Sequence, residues 1–381
     1  MFSISDFKVE IDAIDISSMV TSMNLYESIH GNVKGTIHVE DKLNFFDMFF
    51  RGIAMTQVKI SYIYFDKYLE IDLYADGVTD QVITKMGKSY NVTLSSLLNL
   101  SAEVIRICNS YSGDSNVILS KLWKETHGDV AKLYLDSSTD SKGKYVVPNI
   151  SASDCMRNVV NASYDVHKTG MFLYQRLVDQ GGTRFTSIHT MGNTPYSPGG
   201  DAFAIKNVEI TIDTTLGMHD TIGTANKFIL KDYNKDFIAK LAGGMWGQKV
   251  TQIELDETKN TVHNKKEATD IEITKFSLSK NLYDTEVSLF SPESLVQEEI
   301  IMNMKFRLFN TNLNVEGVVA IPGIGCGMTV NVDQGGNGIS ATKTDGTYLV
   351  ANINHIYTMD DGEMEYSQNI GLVREWYNLE K

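Results

Sequence analysis

The sequence predicts a β-rich α+β chain: two similar antiparallel β-barrels, an α/β domain inserted between them, and a second, smaller insertion. Three observations carry this. Five prolines stand against 29 glycines, 18 tyrosines and 16 phenylalanines, a mix that favours strands joined by glycine turns. Apolar and polar residues alternate through both ends of the chain, and helical spacing enters only after about residue 100. The order of elements near the start recurs near the end.

The elements follow in order. Val33, Gly35, Ile37 and Val39 point one way, with Lys34, Thr36, His38 and Glu40 on the other face. This is the pattern of a half-buried strand. Thr56, Val58, Ile60 and Tyr62 continue it, then Leu69, Ile71, Leu73 and Ala75, then Tyr90, Val92 and Leu94. Breaks at Arg51-Gly52, Asp76-Gly77 and Met86-Gly87 make this a small antiparallel barrel or sandwich. Leu119, Leu122, Trp123 and Thr126 then recur at helical spacing, with Ser112 or Asp114 to cap the start and Gly128 to end it. A second helix, starting after Ser151 or Ser153, shows Met156, Val159 and Val160 on one face. Phe172 to Ile188 reads as a hairpin turning at Asp179-Gln180-Gly181-Gly182. Gly192 to Gly200 is a loop or boundary.

Strands return at Val208, Ile210 and Ile212, and at Lys227 to Leu230. The polar run 255–270 reads as an exposed loop, and Ser291-Pro292-Glu293 starts a helix with proline at its first position. The chain therefore divides into a first barrel over 1–100, an α/β domain over 101–204, a second barrel over 205–240 and 301–378, and an insertion over 241–300. Its 381 residues leave room for two to three domains of ~150 residues each.

The repeat is visible in two segments. Asn32-Val33-Lys34-Gly35-Thr36-Ile37 leads to a break and Val58-Lys59-Ile60; Asn314-Val315-Glu316-Gly317-Val318-Val319 leads to Pro322-Gly323 and Val330-Asn331-Val332. Two strands follow in each half, the late pair (347–357 and 363–373) joined by Asp361-Gly362, a strong hairpin signal. Two similar barrels per chain, taken three times, place six similar units around one axis. Such a trimer can seat on a sixfold ring and offer threefold symmetry on its other side.

Composition narrows the function. The net charge of −14 opposes the phosphate contacts that nucleic-acid binders need. No apolar run reaches the ~18 residues of a membrane span, and residues 1–15 carry no secretory signal pattern. Three widely spaced cysteines, Cys108, Cys155 and Cys326, predict neither a disulfide scaffold nor a zinc site. A reducing cytoplasm is the expected place of synthesis.

Chemistry is sparse. The eight histidines are scattered, and no HExxH, CxxC or G-x-S-x-G pattern occurs. The stretch Asn331, Asp333, Gly335, Asn337 resembles a calcium loop, but Thr342 stands where its glutamate belongs. Gly323-Ile324-Gly325-Cys326-Gly327 precedes alternating Met328, Val330 and Val332 and reads as a strand-to-strand turn, not a phosphate loop. Cys155 lies near the start of a helix, where it is either a small buried thiol or, with its pKa lowered by the helix terminus, a nucleophile. No catalytic residue, metal or cofactor is therefore assigned. Gly243-Gly244-Met245-Trp246 is the one conspicuous candidate contact patch: Trp246 either anchors a partner or caps a local core.

Taken together, three stretches resemble the central baseplate hub proteins of contractile-tailed bacteriophages. Met23 to Gly31 with Gly35 to Asp41 resembles their first barrel. Phe172 to Arg176, with Gly182 and Arg184 to Ile188, resembles their middle-domain hairpin. Val315-Glu316-Gly317 through Pro322-Gly323 and Val330-Asn331-Val332 resembles their second barrel. The resemblance implies tube-type barrels, akin to those of tail-tube subunits and type VI secretion spikes. It implies a non-enzymatic homotrimer forming a pseudo-hexameric ring that adapts the sixfold tail tube to the threefold central spike. The implied partners are the tube or its initiator ring, the spike, baseplate wedge proteins and the tape measure protein, with DNA only in transit through the lumen. The implied location is the virion tail, assembled in the host cytoplasm without membrane insertion. Two other readings compete: a tail-associated cell-wall hydrolase using Cys155 or a carboxylate, and a peripheral distal-tail or baseplate ring component.

Overall fold

The computed structural model describes residues 2–42, 45, 56–64, 67–85, 87–128, 132–140, 142–167, 169–179, 182–197, 204–207, 223–233, 249–255, 260–266, 272–278, 311–319, 321–333, 345–360 and 362–374. The fold is β-rich with few helices. Seven strands open it: β1 (Phe2–Ile11), β2 (Ile14–Asp15), β3 (Val20–Ser28), β4 (Gly31–Asp41), β5 (Thr56–Tyr64), β6 (Lys67–Thr84) and β7 (Gly87–Ser95). The alternation read from sequence sets their faces. Val33, Ile37 and Val39 are buried and Lys34 and Glu40 exposed on β4, while Val58 and Ile60 are buried on β5. Gly35 interrupts the inward row because a Cβ there would stand 2.6 Å from Leu25 Cδ2 and 3.0 Å from the Asn24 carbonyl oxygen.

The middle of the chain carries α1 (Leu97–Val104), α2 (Ser115–His127), α3 (Ala152–Ala162) and α4 (Ile188–Gly192). Short strands lie between and beside them: β8 (Arg106–Ile107), β9 (Ser110–Asp114), β10 (Leu133–Leu135), β11 (Lys142–Val146), β12 (Ile150–Ser151), β13 (Met171–Gln175) and β14 (Thr183–Ser187). Asp114 occupies the N-cap of α2 without a side-chain cap bond, and Gly128 closes the helix at φ +67°. Ser151 caps α3, its hydroxyl accepting from the Asp154 N–H. The apolar faces of α2 and α3 meet in one cluster that includes Leu119, Leu122, Cys155, Met156 and Val159. The expected hairpin is β13 paired antiparallel with β14, and β10 adds to β14 in parallel.

The remaining strands are β15 (Ala204–Asn207), β16 (Thr224–Ala225), β17 (Lys227–Tyr233), β18 (Lys249–Leu255), β19 (Asn260–Lys266), β20 (Glu272–Leu278), β21 (Thr311–Val319), β22 (Thr329–Asp333), β23 (Gly346–Asp360) and β24 (Glu363–Arg374). One expectation is corrected here. The polar run read as a loop over 255–270 contains β19, which pairs in register with β18 from Lys249↔Lys266 to Leu255↔Asn260. β19 is an edge of the three-stranded order β19-β18-β20. An edge strand has only one paired side, so backbone bonding to β18 can hold a polar sequence extended there. The expected strand at Val208–Ile212 and the helix after Ser291 lie outside the described residues.

The long C-terminal hairpin organises the main sheet. Its pairings run round a closed circuit of eight strands, β23-β3-β4-β7-β6-β5-β1-β24, with β24 returning to β23. The half of the hairpin near its turn pairs outward with β3 and β1, from Thr358↔Ser22 and Tyr366↔Phe2. The other half pairs with β22 and β21, from Leu349↔Thr329 and Arg374↔Thr311. Beyond these come β15 with β16, and β17 on β21. Gly223 and Asn226 also send their N–H groups to the Val319 and Glu316 carbonyls of β21. Sequence reading gave each half of the chain its own strands, whereas the hairpin serves both halves. Two separate apolar clusters follow: one holds Ile37, Ile60, Tyr90 and Tyr357, the other Val315, Val330, Val350 and Leu372.

Candidate functional site

The apolar clusters meet at a buried polar seam. Met23, Leu25 and Glu27 alternate along the inward face of β3, so strand geometry buries the Glu27 carboxylate, which is 0% exposed. A buried carboxylate needs donors. Leu177 N–H donates to Oε2 at 2.8 Å and Cys326 N–H to Oε1 at 3.0 Å. Leu177 follows β13, and Cys326 lies in the turn between β21 and β22. One side chain of β3 thus ties down two loops that are remote in sequence.

A buried cation stands on the other side of Cys326. Arg176 is 4% exposed, and its Nε donates to the Cys326 carbonyl at 2.6 Å while Nη2 donates to the Tyr174 hydroxyl at 3.2 Å. Cys326 therefore offers its N–H to the anion and its C=O to the cation. The turn reading of Gly323 to Gly327 is borne out. Gly327 adopts φ +77°, and a Cβ there would overlap the Tyr174 hydroxyl and lie 2.8 Å from its Cζ.

The seam continues through the hairpin. His355 Nε2 is 3.9 Å from Glu27 Oε1, and its Nδ1 shares a 2.6 Å hydrogen bond with the Tyr366 hydroxyl. Gln368 Nε2 donates to the same hydroxyl, and its Oε1 accepts from Ile321 N–H at 2.8 Å. Tyr62 and Tyr357 join hydroxyls at 2.7 Å, and Tyr357 stacks on Tyr366 with centroids 4.6 Å apart. Burial pushes the Tyr62 phenol up to about 12 and holds Tyr357 and Tyr366 well above the usual tyrosine value. These phenols are neutral hydrogen-bonding groups at physiological pH. The seam fixes position and holds no activated nucleophile.

Cys155 is the sequence candidate for reactivity. It is fully buried, and desolvation pushes its thiol up to about 11. The small-buried-thiol reading fits this environment; the helix terminus does not win against burial. Cys326 is likewise buried and raised, whereas Cys108 is exposed. We expect one thiol, Cys108, to react rapidly with Ellman's reagent in the native protein at pH 8, and all three after denaturation. Rapid native modification of Cys155, located by peptide mapping, would contradict this assignment. Among the described residues, no group of three or more His, Cys, Asp or Glu could hold a metal ion, and no helix is long and apolar enough to cross a membrane. Gly243, Gly244, Met245 and Trp246 lie outside the described residues.

A second feature is a cleft of about 940 Å³ between the β3–β4 turn and α1, α2, α3 and β13. Ile29, Leu98, Met156, Val160 and Phe172 contribute its apolar surface, and Lys34 and Arg157 its cations. His127 lines it as well, its imidazole pushed down to about 4 by burial and therefore neutral.

Sequence reading missed the seam. Its one signal was Glu27 at an inward position after Met23 and Leu25, where alternation calls for an apolar side chain. The donors come from residues 150 and 299 positions away, beyond the reach of any local pattern.

Comparison with solved structures identifies the fold. The chain is similar to the tail protein from Neisseria meningitidis MC58, with a TM-score of 0.59 and 9% identity over 98% of this chain and 97% of that one. It is also similar to the prophage MuSo2 43 kDa tail protein from Shewanella oneidensis, with a TM-score of 0.60 and 10% identity over 97% and 98%. A chain of the Francisella PdpA–VgrG complex matches at a TM-score of 0.51 and 10% identity, over 98% of this chain and 58% of that one. This protein has the fold of phage tail proteins, which the baseplate-hub resemblance called for. No family model and no curated protein matches the sequence.

Proposed function

We propose that this protein is a structural baseplate hub of a phage tail. Three copies form a pseudo-hexameric ring that joins the sixfold tail tube to a threefold central spike and surrounds the DNA channel. The observation that carries the reading is a fold match over nearly the whole length of two tail proteins. The match to a VgrG complex supports a place beside a spike. The reading takes the eight-strand circuit as one tube-type barrel. It takes β15, β16, β17, β21 and β22 with the far half of the hairpin as a second, and the helical cluster as the inserted domain. Its partners are further copies of the chain, the tube or its initiator ring, the spike, wedge proteins and the tape measure protein. The chemistry of the site supports a non-enzymatic role, since the seam's groups bond one another and Cys155 is shielded. A net charge of −14 suits a lumen that DNA crosses without adhering.

Sedimentation velocity with negative-stain imaging tests the proposal. The expected result is a trimer with a central hole and six peripheral lobes. A stable hexamer would assign the chain to a distal ring, and a monomer at every concentration would remove the hub reading.

A further inference from the structure

We propose that the cleft between the β3–β4 turn and the helices receives the β23–β24 turn of a neighbouring copy. The inference rests on the trimeric reading and names the surfaces that join its copies. The first observation is the cleft's charge. The chain holds 48 acidic residues against 34 basic ones, yet among the described residues no Asp or Glu lines the cleft, while Lys34 and Arg157 do. Among the described residues Lys34 forms no ion pair. Among the same residues Arg157 pairs with Asp154, outside the lining, at 2.8 Å between side chains that are 63% and 46% exposed. Such a solvated pair yields readily to a better partner.

The second observation is the opposite charge at the far end of the same barrel circuit. Asp360, Glu363 and Glu365 cluster at the hairpin turn, and none forms an ion pair among the described residues.

The third observation is placement. β23 pairs with β3 from Asn352↔Ser28, at the cleft's edge, to Thr358↔Ser22, and reaches the turn at Asp360. About eight residues of extended strand, or ~26 Å, separate the two patches. Complementary patches at opposite ends of one unit make a heterologous contact, which closes into a ring when its rotation allows. A pair of identical patches would give a dimer instead. The cleft and the turn are therefore the two halves of a ring-forming contact.

Charge reversal tests this, since all four side chains are exposed and their replacement spares the core. Lys34→Glu with Arg157→Glu is expected to weaken the trimer roughly tenfold or more in sedimentation equilibrium, and Asp360→Lys with Glu363→Lys to do the same. Combining all four in one chain is expected to restore wild-type association. Circular dichroism and Tm check that each variant is folded. If the wild type is trimeric and the cleft variant associates equally well, the contact is wrong while the hub reading stands. Failure of the fourfold variant to recover, with its fold intact, also overturns the pairing of these two surfaces. A trimer that persists in the cleft variant while tail assembly is lost assigns the cleft to another tail protein. A wild type that never associates removes both proposals together.

Discussion

Replacing Glu27 by alanine is expected to destabilise the protein by about 3–5 kcal/mol, the range seen when one member of a buried charged network is removed. Two N–H groups, from Leu177 and Cys326, would lose their acceptor in a place water does not reach. Arg176 would also lose the anion that is bonded to the same residue, Cys326, through its N–H. Glu27→Gln keeps one carbonyl oxygen as acceptor and sets an NH2 group against the other N–H, so an intermediate loss is expected. Denaturant titration of both variants checks the order wild type, Gln, Ala. Equal stability of all three would mean that the carboxylate does not hold the seam.

The second large effect is expected at Gly327. Gly327 and Gly323 have almost the same positive φ, +77° and +78°. An alanine at either pays the same left-handed strain, about 1–2 kcal/mol. Their surroundings differ. Nothing lies within 4 Å of a Cβ at Gly323, whereas at Gly327 it meets the ring of the fully buried Tyr174, on which Arg176 rests. Overpacking of this kind adds about 1–3 kcal/mol. Gly327→Ala should therefore lower Tm clearly further than Gly323→Ala. Equal shifts would show that the turn relaxes away from Tyr174 without cost.

Much of the fold was legible because alternation and helical spacing are local signals. Val33, Ile37 and Val39 announced β4; Met156, Val159 and Val160 announced α3; its start was read as following Ser151 or Ser153, and Ser151 is the cap. The hairpin at Asp361-Gly362 was equally plain. What sequence concealed was sharing. Gly346 to Leu349 pairs with β22 and Asn352 to Thr358 with β3, yet they read as one continuous strand and nothing local says that its two parts have different neighbours. β19 was misread because polarity was taken for a loop where an edge strand tolerates it. The seam was hidden for the same reason as the sharing: Glu27 and Arg176 are ordinary residues until Cys326 is brought between them.

The doubly used hairpin has a bearing on biosynthesis. The hydroxyl bond from Tyr62 to Tyr357 spans 295 residues, so the eight-strand circuit begun by β1 to β7 stays open until β23 and β24 have been made. Contacts of such span are slow to form and leave sheet margins available for mispairing meanwhile. In compensation, a product terminated before β23 lacks the two strands that close the circuit and that pair with β21 and β22.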